Sequence, residues 1–164
     1  MEHEFVTTPE STVTIRFQDC DPFGHLNNAR FIDYFINARE DQLIQFYDYD
    51  IYKLGKETQC NWVVAKHQIA YLAPVNYREE VRIRTSLIRF AETSLHMEGQ
   101  MFRKDGLKLK SIIWTEYRYV SLGTGRPVPH SAEILDFLDK ILLREEALVE
   151  PDFQERTKTL ISRI

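Results

Sequence analysis

The chain has 164 residues, 43% of them hydrophobic, 12% aromatic and 28% charged, with a formal net charge of -4. This size and mix suit one globular domain and exclude a disordered chain. An acidic balance without a strong basic patch argues against a nucleic-acid partner, and no apolar run approaches the ~20 residues that span a bilayer.

Residues 1–10 read as a polar lead-in. The start Met1-Glu2-His3-Glu4-Phe5 is acidic and lacks an apolar core, so no signal peptide is expected. Val13, Ile15 and Phe17 then alternate with Thr14, Arg16 and Gln18, the period of a half-buried strand. The strand ends at the turn-rich stretch Asp19-Cys20-Asp21-Pro22-Phe23-Gly24. Pro22 steers Asp21 away from helical angles, and Gly24 permits a positive φ. A long helix is expected from about Asn28 to Tyr47, capped by Asn27 or Asn28. Phe31, Ile32, Tyr34, Phe35 and Ile36 make its first half apolar nearly all round, which predicts burial on most sides. Gly55 reads as a loop marker.

Four strand-like runs follow: 61–72, 80–90, 93–103 and 108–122, with Gly99 as a possible bulge in the third. Lys104-Asp105-Gly106 carries the Asp-Gly pair of a tight hairpin. Gly123 to Pro129 reads as a turn and Ser131 to Leu143 as a short helix, and the segment after Glu145 is charged and weakly patterned. The order is strand, buried helix, then four mostly antiparallel strands. One sheet wrapped around one helix satisfies it, an α+β layout. The domain is expected to cover residues 1–164, with its core at about 12–143 and a charged C-terminal tail.

Cys20 and Cys60 fit neither a CxxC nor a zinc spacing and read as thiols of a reducing cytoplasm. His3, His67, His96 and His130 show no metal-ligand spacing, so neither a metal nor a cofactor is expected. No Gly-x-Ser-x-Gly elbow is present, against a serine-hydrolase route. Locally, Asp21 is either a turn residue before proline or a catalytic carboxylate, and the pattern leaves both open. Asp19 reads as a structural or hydrogen-bonding residue, with an acid pair beside Asp21 as the alternative. Arg82, Arg84, Arg89, Arg103, Lys104, Lys108, Lys110 and Arg126 are scattered basic positions, mostly on solvated faces.

Residues 16–31, Arg16-Phe17-Gln18-Asp19-Cys20-Asp21-Pro22-Phe23-Gly24-His25-Leu26-Asn27-Asn28-Ala29-Arg30-Phe31, resemble the D-x-D-x-x-G-(H/I)-(V/L)-x-N signature of the 4-hydroxybenzoyl-CoA thioesterase family. Tyr71 to Val81 resembles the family's link into the next strand, and Tyr119 to Pro129 its closing segment. The resemblance covers about residues 12 to 130. It implies a hotdog fold, a curved antiparallel sheet around a central helix. It also implies a homodimer or homotetramer with the site at the subunit interface, and acyl-CoA or acyl carrier protein thioesters as substrates. The second Asp of the motif, Asp21, would be the catalytic carboxylate, and amides near Gly24 and His25 would polarise the thioester carbonyl. The His25-Leu26-Asn27-Asn28 version resembles the branch acting on fatty or medium-chain acyl groups rather than the aromatic one.

The chemistry fits those residue types. A carboxylate of ordinary pKa about 3.9 is ionised at neutral pH and can attack a thioester carbonyl or deprotonate water. A thiolate leaves readily, so a strong general acid is less necessary. Unpaired amides at a helix start suit the oxyanion, and Gly24 would let substrate approach closely. His25 is either a helix-start residue or a donor in catalysis. Asn27 and Asn28 are caps first and substrate-positioning groups second. Phe23 and Tyr34 are candidate substrate contacts, although Tyr34 at its helical spacing is more often a core residue and in this fold the two roles can coincide. Two other readings stand beside the thioesterase: a hotdog dehydratase or hydratase using His25 with Asp21, and a non-catalytic acyl-binding module.

Overall fold

A computed structural model describes residues 5–148 and 152–163. The segment Met1 to Glu4, including His3 and most of the acidic start, lies outside the described residues. Strand β1 spans Glu10–Thr14 and a 3-10 turn follows at Phe17–Asp19. Helix α1 runs over Asn28–Tyr47 and helix α2 over Ile51–Thr58. Strands β2 (Cys60–Tyr71), β3 (Glu80–Phe90), β4 (Ser94–Arg103) and β5 (Leu109–Ser121) come next, then helices α3 (Ala132–Ile141) and α4 (Phe153–Ser162). The strands form one antiparallel sheet in the order β1-β3-β4-β5-β2. The curved sheet and the helix it holds make the hotdog arrangement.

Helix α1 forms over the expected residues because both of its ends are locally coded. Asn27 is the N-cap, its side chain accepting from the Ala29 amide at 3.0 Å. At the other end Asp48 turns left-handed (φ 52°) and donates its amide back to the Ile44 carbonyl. Phe31, Tyr34, Phe35 and Ala38 bury against Val81, Ile83, Met101 and Ile113 of the sheet. Each such large side chain contributes roughly 1.5–3 kcal/mol when taken from water. Gln42 is also fully buried, and it is satisfied: it donates to Ser11 and to the Ile83 carbonyl and accepts from Thr85.

Several local expectations are corrected by the structure. β1 stops at Thr14, so Phe17 leaves the alternating face and is 78% exposed. Gly55 lies inside α2, where the Asn61 side chain crosses it; a Cβ there would meet Asn61 Nδ2 at 2.8 Å. Gly99 is no bulge, pairing regularly with Thr85 and Ile113. It is small because α1 presses on it: a Cβ would sit 2.6 Å from the Phe35 ring. The link between β4 and β5 covers residues 104–108, longer than a two-residue hairpin, with Gly106 at φ 76°. The charged tail contains α4, which packs Leu160 and Phe153 on the outer face of the sheet, against Phe102, Leu109, Ile112 and Trp114.

Candidate active site

Asp21 sits in a turn closed on itself by four hydrogen bonds. Its amide donates to the His25 carbonyl (2.8 Å), and the Gly24 amide donates to the Asp21 carbonyl (3.0 Å). Its carboxylate Oδ1 accepts from the amides of Phe23 (2.9 Å) and His25 (3.2 Å). Oδ2 has no partner among the described residues. The link from Leu72 to Glu79 clamps this turn from outside: Leu26 donates to Val75 and Tyr77 donates to the Gly24 carbonyl, each at 2.8 Å. The two motif stretches at 16–31 and 71–81 thus meet in space.

The amides of Gly24 and His25 differ from their expected role. They do not open the helix; both are engaged with Asp21 itself. The helix starts at Asn28, and the Asn28 amide has no acceptor among the described residues. That N–H, at the positive end of a 20-residue helix, is the donor left free beside the turn. Gly24 has φ 75°, and a Cβ built on it would meet nothing within 4 Å. Its glycine is therefore required by backbone conformation, not by crowding within this chain.

The other expected residues divide between this turn and its support. Asn27 caps α1, and its amide donates to the Asp19 carbonyl at 2.9 Å. Asn28 is the first helical residue, and its carbonyl accepts from the Tyr71 hydroxyl at 2.9 Å. Phe23 stands out at the tip of the turn, 84% exposed. The His25 ring forms no hydrogen bond among the described residues. Tyr34 is buried and held at both lone pair and proton: it accepts from the Arg16 amide (3.0 Å) and donates to Asp19 Oδ2 (2.7 Å). Burial chiefly pushes its pKa up to about 12. Asp19 has the structural geometry expected of it.

Sequence reasoning missed Tyr71 and the aromatic pair Phe17–Tyr77 (centroids 5.8 Å apart) beside the turn. Tyr71 also meets the Phe31 ring edge-on at 5.1 Å. Its place in the Tyr71-Leu72-Ala73-Pro74 stretch was the available signal. Among the described residues no group of three or more His, Cys, Asp or Glu is placed to hold a metal ion. No helix there is long and apolar enough to cross a membrane. Both cysteines are free thiols. Many of the basic positions are engaged: Arg82 and Arg84 with Glu10, Arg103 with Asp105, Lys104 with Glu80, and Lys110 with Glu79.

Comparison with known proteins agrees with this architecture. The family model described as the thioesterase-like superfamily matches residues 15–138. The uncharacterized protein YsmA of Bacillus subtilis (strain 168) is 34% identical over 90 residues, 54% of this chain and 58% of that protein, so the match spans little over half of the relative. Among solved structures, the probable thioesterase YbaW of Escherichia coli superposes with a TM-score of 0.70 at 18% identity, covering 82% of this chain and 98% of that one. A DHNA-CoA thioesterase from Staphylococcus aureus gives 0.72 at 14% identity, covering 95% and 94%. At such identities these two structures speak for the fold alone. With its sheet wrapped on α1 and residues 15–138 matched by the family model, the chain belongs to the thioesterase-like superfamily of hotdog proteins.

Proposed function

We propose that this protein hydrolyses acyl-CoA thioesters, or the corresponding acyl carrier protein thioesters, as a homo-oligomer with Asp21 as its reacting carboxylate. One observation carries the reading. Asp21 has one oxygen pinned by two amides and the other without a partner, in a closed turn that feeds directly into a helix whose first amide is unpaired. The pinned oxygen fixes orientation; the unpartnered oxygen is the one able to react. It either attacks the thioester carbonyl, expelling the thiolate to leave an acyl–Asp21 anhydride that water opens, or takes a proton from a water that attacks instead. In both routes the carbonyl oxygen becomes an oxyanion, and the Asn28 N–H is the donor suited to it, in place of the Gly24 and His25 amides.

A hydratase reading is less well supported. It needs a histidine paired with an acid near the helix start, and His25 has no such partner among the described residues. His96 approaches Glu116 at 3.4 Å, but Leu95 and Met97 face the interior, so alternation turns His96 to the opposite side of the sheet.

The oligomer reading rests on β2. It is an edge strand, paired only with β5, and none of its residues is buried although Val63, Val64 and Tyr71 are large and apolar. An exposed edge with apolar side chains is a template for another strand. A second copy pairing there would lie against Tyr71 and the start of α1. Arg89, Lys108 and Arg126 have no ion-pair partner among the described residues and are the candidates for the CoA phosphates.

The test is Asp21→Asn. Asparagine keeps an oxygen for the Phe23 and His25 amides, so the turn survives while the ionised oxygen is lost. Thiol release from an acyl-CoA panel should fall roughly 10²–10⁴-fold with unchanged thermal melting. Turnover within about threefold of the parent would remove Asp21 from the mechanism, and enoyl-CoA hydration without thiol release would favour the hydratase. A monomer in sedimentation at micromolar concentration would count against the interfacial site.

A further inference from the structure

A cavity of about 250 Å³ opens at the far end of α1 from Asp21, walled by Ile36 and Leu43 of α1, Trp62 and Val64 of β2, Leu95 of β4 and Phe137 of α3. Its wall is mainly apolar, and the polar side chains that border it include Arg39, Tyr49 and Tyr117. Arg39 carries five N–H donors. Among the described residues its Nη1 donates to Thr85 Oγ1 at 3.4 Å, and its guanidinium lies 5.8 Å from the centroid of the Tyr47 ring, close enough for the Tyr47 hydroxyl to favour its charge. No carboxylate among the described residues pairs with it; Glu40, its neighbour on the cavity wall, does not. The Tyr49 hydroxyl is buried with no hydrogen-bond partner among the described residues. Tyr117, also on the wall, makes no side-chain hydrogen bond among the described residues and lies close enough to Arg39 to feel its charge. Burial lowers the Arg39 pKa, with Tyr47 and Tyr117 opposing it in part, and raises those of Tyr49 and Tyr117.

A half-buried cation on a mainly apolar wall, without a carboxylate partner among the described residues, gains when an anion joins it. The Tyr117 hydroxyl near it adds a donor for a carboxylate, while the Tyr49 hydroxyl lies elsewhere on the wall, within reach of Tyr119 and Glu133. The cavity also aligns with the proposed reaction centre. α1 and β2 run in opposite directions along the same edge of the molecule. Tyr71 meets Asn28 and Phe31 at one end of that seam, and Trp62 and Val64 meet the cavity at the other. From Asn28 to Arg39 the helix rises about 16 Å, at ~1.5 Å per residue. An extended hydrocarbon chain advances roughly 1.25 Å per carbon, from C–C bonds of about 1.5 Å, so about thirteen carbons cover the distance.

We propose that this cavity binds the distal end of the acyl group and that this end is a carboxylate held by Arg39 with Tyr117, making the preferred substrate the CoA monothioester of a medium-to-long dicarboxylic acid. The assignment rests on the thioesterase reading, and it adds a substrate class to it.

The experiment compares matched pairs of equal carbon count, from adipoyl-CoA against hexanoyl-CoA to hexadecanedioyl-CoA against palmitoyl-CoA, by thiol release. The expected result is a diacid-to-monoacid ratio in kcat/KM of about tenfold or more at the best length, which should lie near dodecanedioyl-CoA, as one charge-assisted hydrogen-bonded contact provides. Arg39→Met should collapse that ratio, and Arg39→Lys should restore part of it. A ratio near one at every length, or a ratio that survives Arg39→Met, overturns the proposal. Should Arg39→Met fail to fold, the parent ratio and Arg39→Lys decide. Should no acyl-CoA release thiol, the thioesterase reading fails separately. The cavity is then judged by thermal shift with free dodecanedioate against laurate. A shift for the diacid that is lost in Tyr117→Phe supports the pocket, and equal shifts for diacid and monoacid refute it.

Discussion

The strongest expected stability effect lies far from Asp21, where α4 meets the sheet. Arg156 and Glu98 have side-chain exposures of 2% and 1%. Arg156 Nε donates to Glu98 Oε2 (2.9 Å) and Nη2 to Oε1 (2.8 Å), a bidentate pair. Trp114 and Gln100 donate to the same carboxylate, and Arg156 Nη1 donates to Glu145 at 2.8 Å. Burial opposes the Arg156 charge, and the two carboxylates outweigh it, raising its pKa. Arg156→Ala would leave a buried carboxylate with two neutral donors. Breaking such a pair from one side costs about 3–5 kcal/mol. At ~2–4 °C per kcal/mol for a domain of this size, Tm should fall by roughly 6–20 °C. Removing both charges is different: Glu98→Gln/Arg156→Met should remain within about 2 kcal/mol of the parent, because volume is kept and no charge is stranded. Urea unfolding followed by far-UV circular dichroism measures both. Tryptophan fluorescence adds a local readout, since Trp114 packs edge-on against Phe153 and would be uncovered if α4 undocked. A loss under ~1 kcal/mol for Arg156→Ala, or a double variant as unstable as the single, would refute the reasoning.

Two further outcomes follow from packing and titration. Gly99→Ala should destabilise by ~1–3 kcal/mol through overpacking, since the new methyl would lie 2.6 Å from Phe35 and 2.8 Å from Ile113; Phe35→Leu in the same chain should recover part of it, and a parent-like midpoint for Gly99→Ala would sink the account. His130 bonds the Ala91 carbonyl through Nδ1 and accepts from Trp62 Nε1 at Nε2, each at 3.0 Å, which only the neutral ring can do. Burial chiefly lowers its pKa below the ordinary 6.5, so the folded state binds fewer protons than the unfolded one. Its contribution is therefore complete above about pH 6.5 and disappears as pH falls through the lower folded value. His130→Phe should lower stability at pH 7.5 yet flatten the decline toward pH 5, partly rather than wholly because His67 and His96 shift the same way; an unchanged slope would exclude His130 as a contributor.

The parts of this molecule that were legible in the sequence are those whose cause is local. α1 begins and ends as expected because Asn27 caps its first turn and an apolar stripe runs along it; the strands emerge from period-two alternation. The misread positions share a different property. Gly99 and Gly55 looked like punctuation, but each is small because something distant in sequence, Phe35 or Asn61, crosses it. Phe17 continues the alternation of Val13 and Ile15, yet the backbone has already turned, and no periodicity reports that. Arg156, in a segment with too little pattern to predict, finds its partner 58 residues away.

The candidate site shows the same division at finer scale. Its carboxylate is legible because the motif is contiguous; its donor is not, because availability is a count of hydrogen bonds rather than a distance along the chain. Gly24 and His25 lie nearest Asp21, and that closeness is what removes their amides from use, since the turn that presents the carboxylate closes through them. The unpaired amide must then fall where the turn's bonds end and the helix's have not begun. With Asn27 capping Ala29 and its carbonyl taken by Arg30, that position is Asn28. On the proposed reading such a turn would separate two duties: the residues between Asp21 and Leu26 would orient the reacting oxygen, and the first residue of α1 would meet the charge it creates.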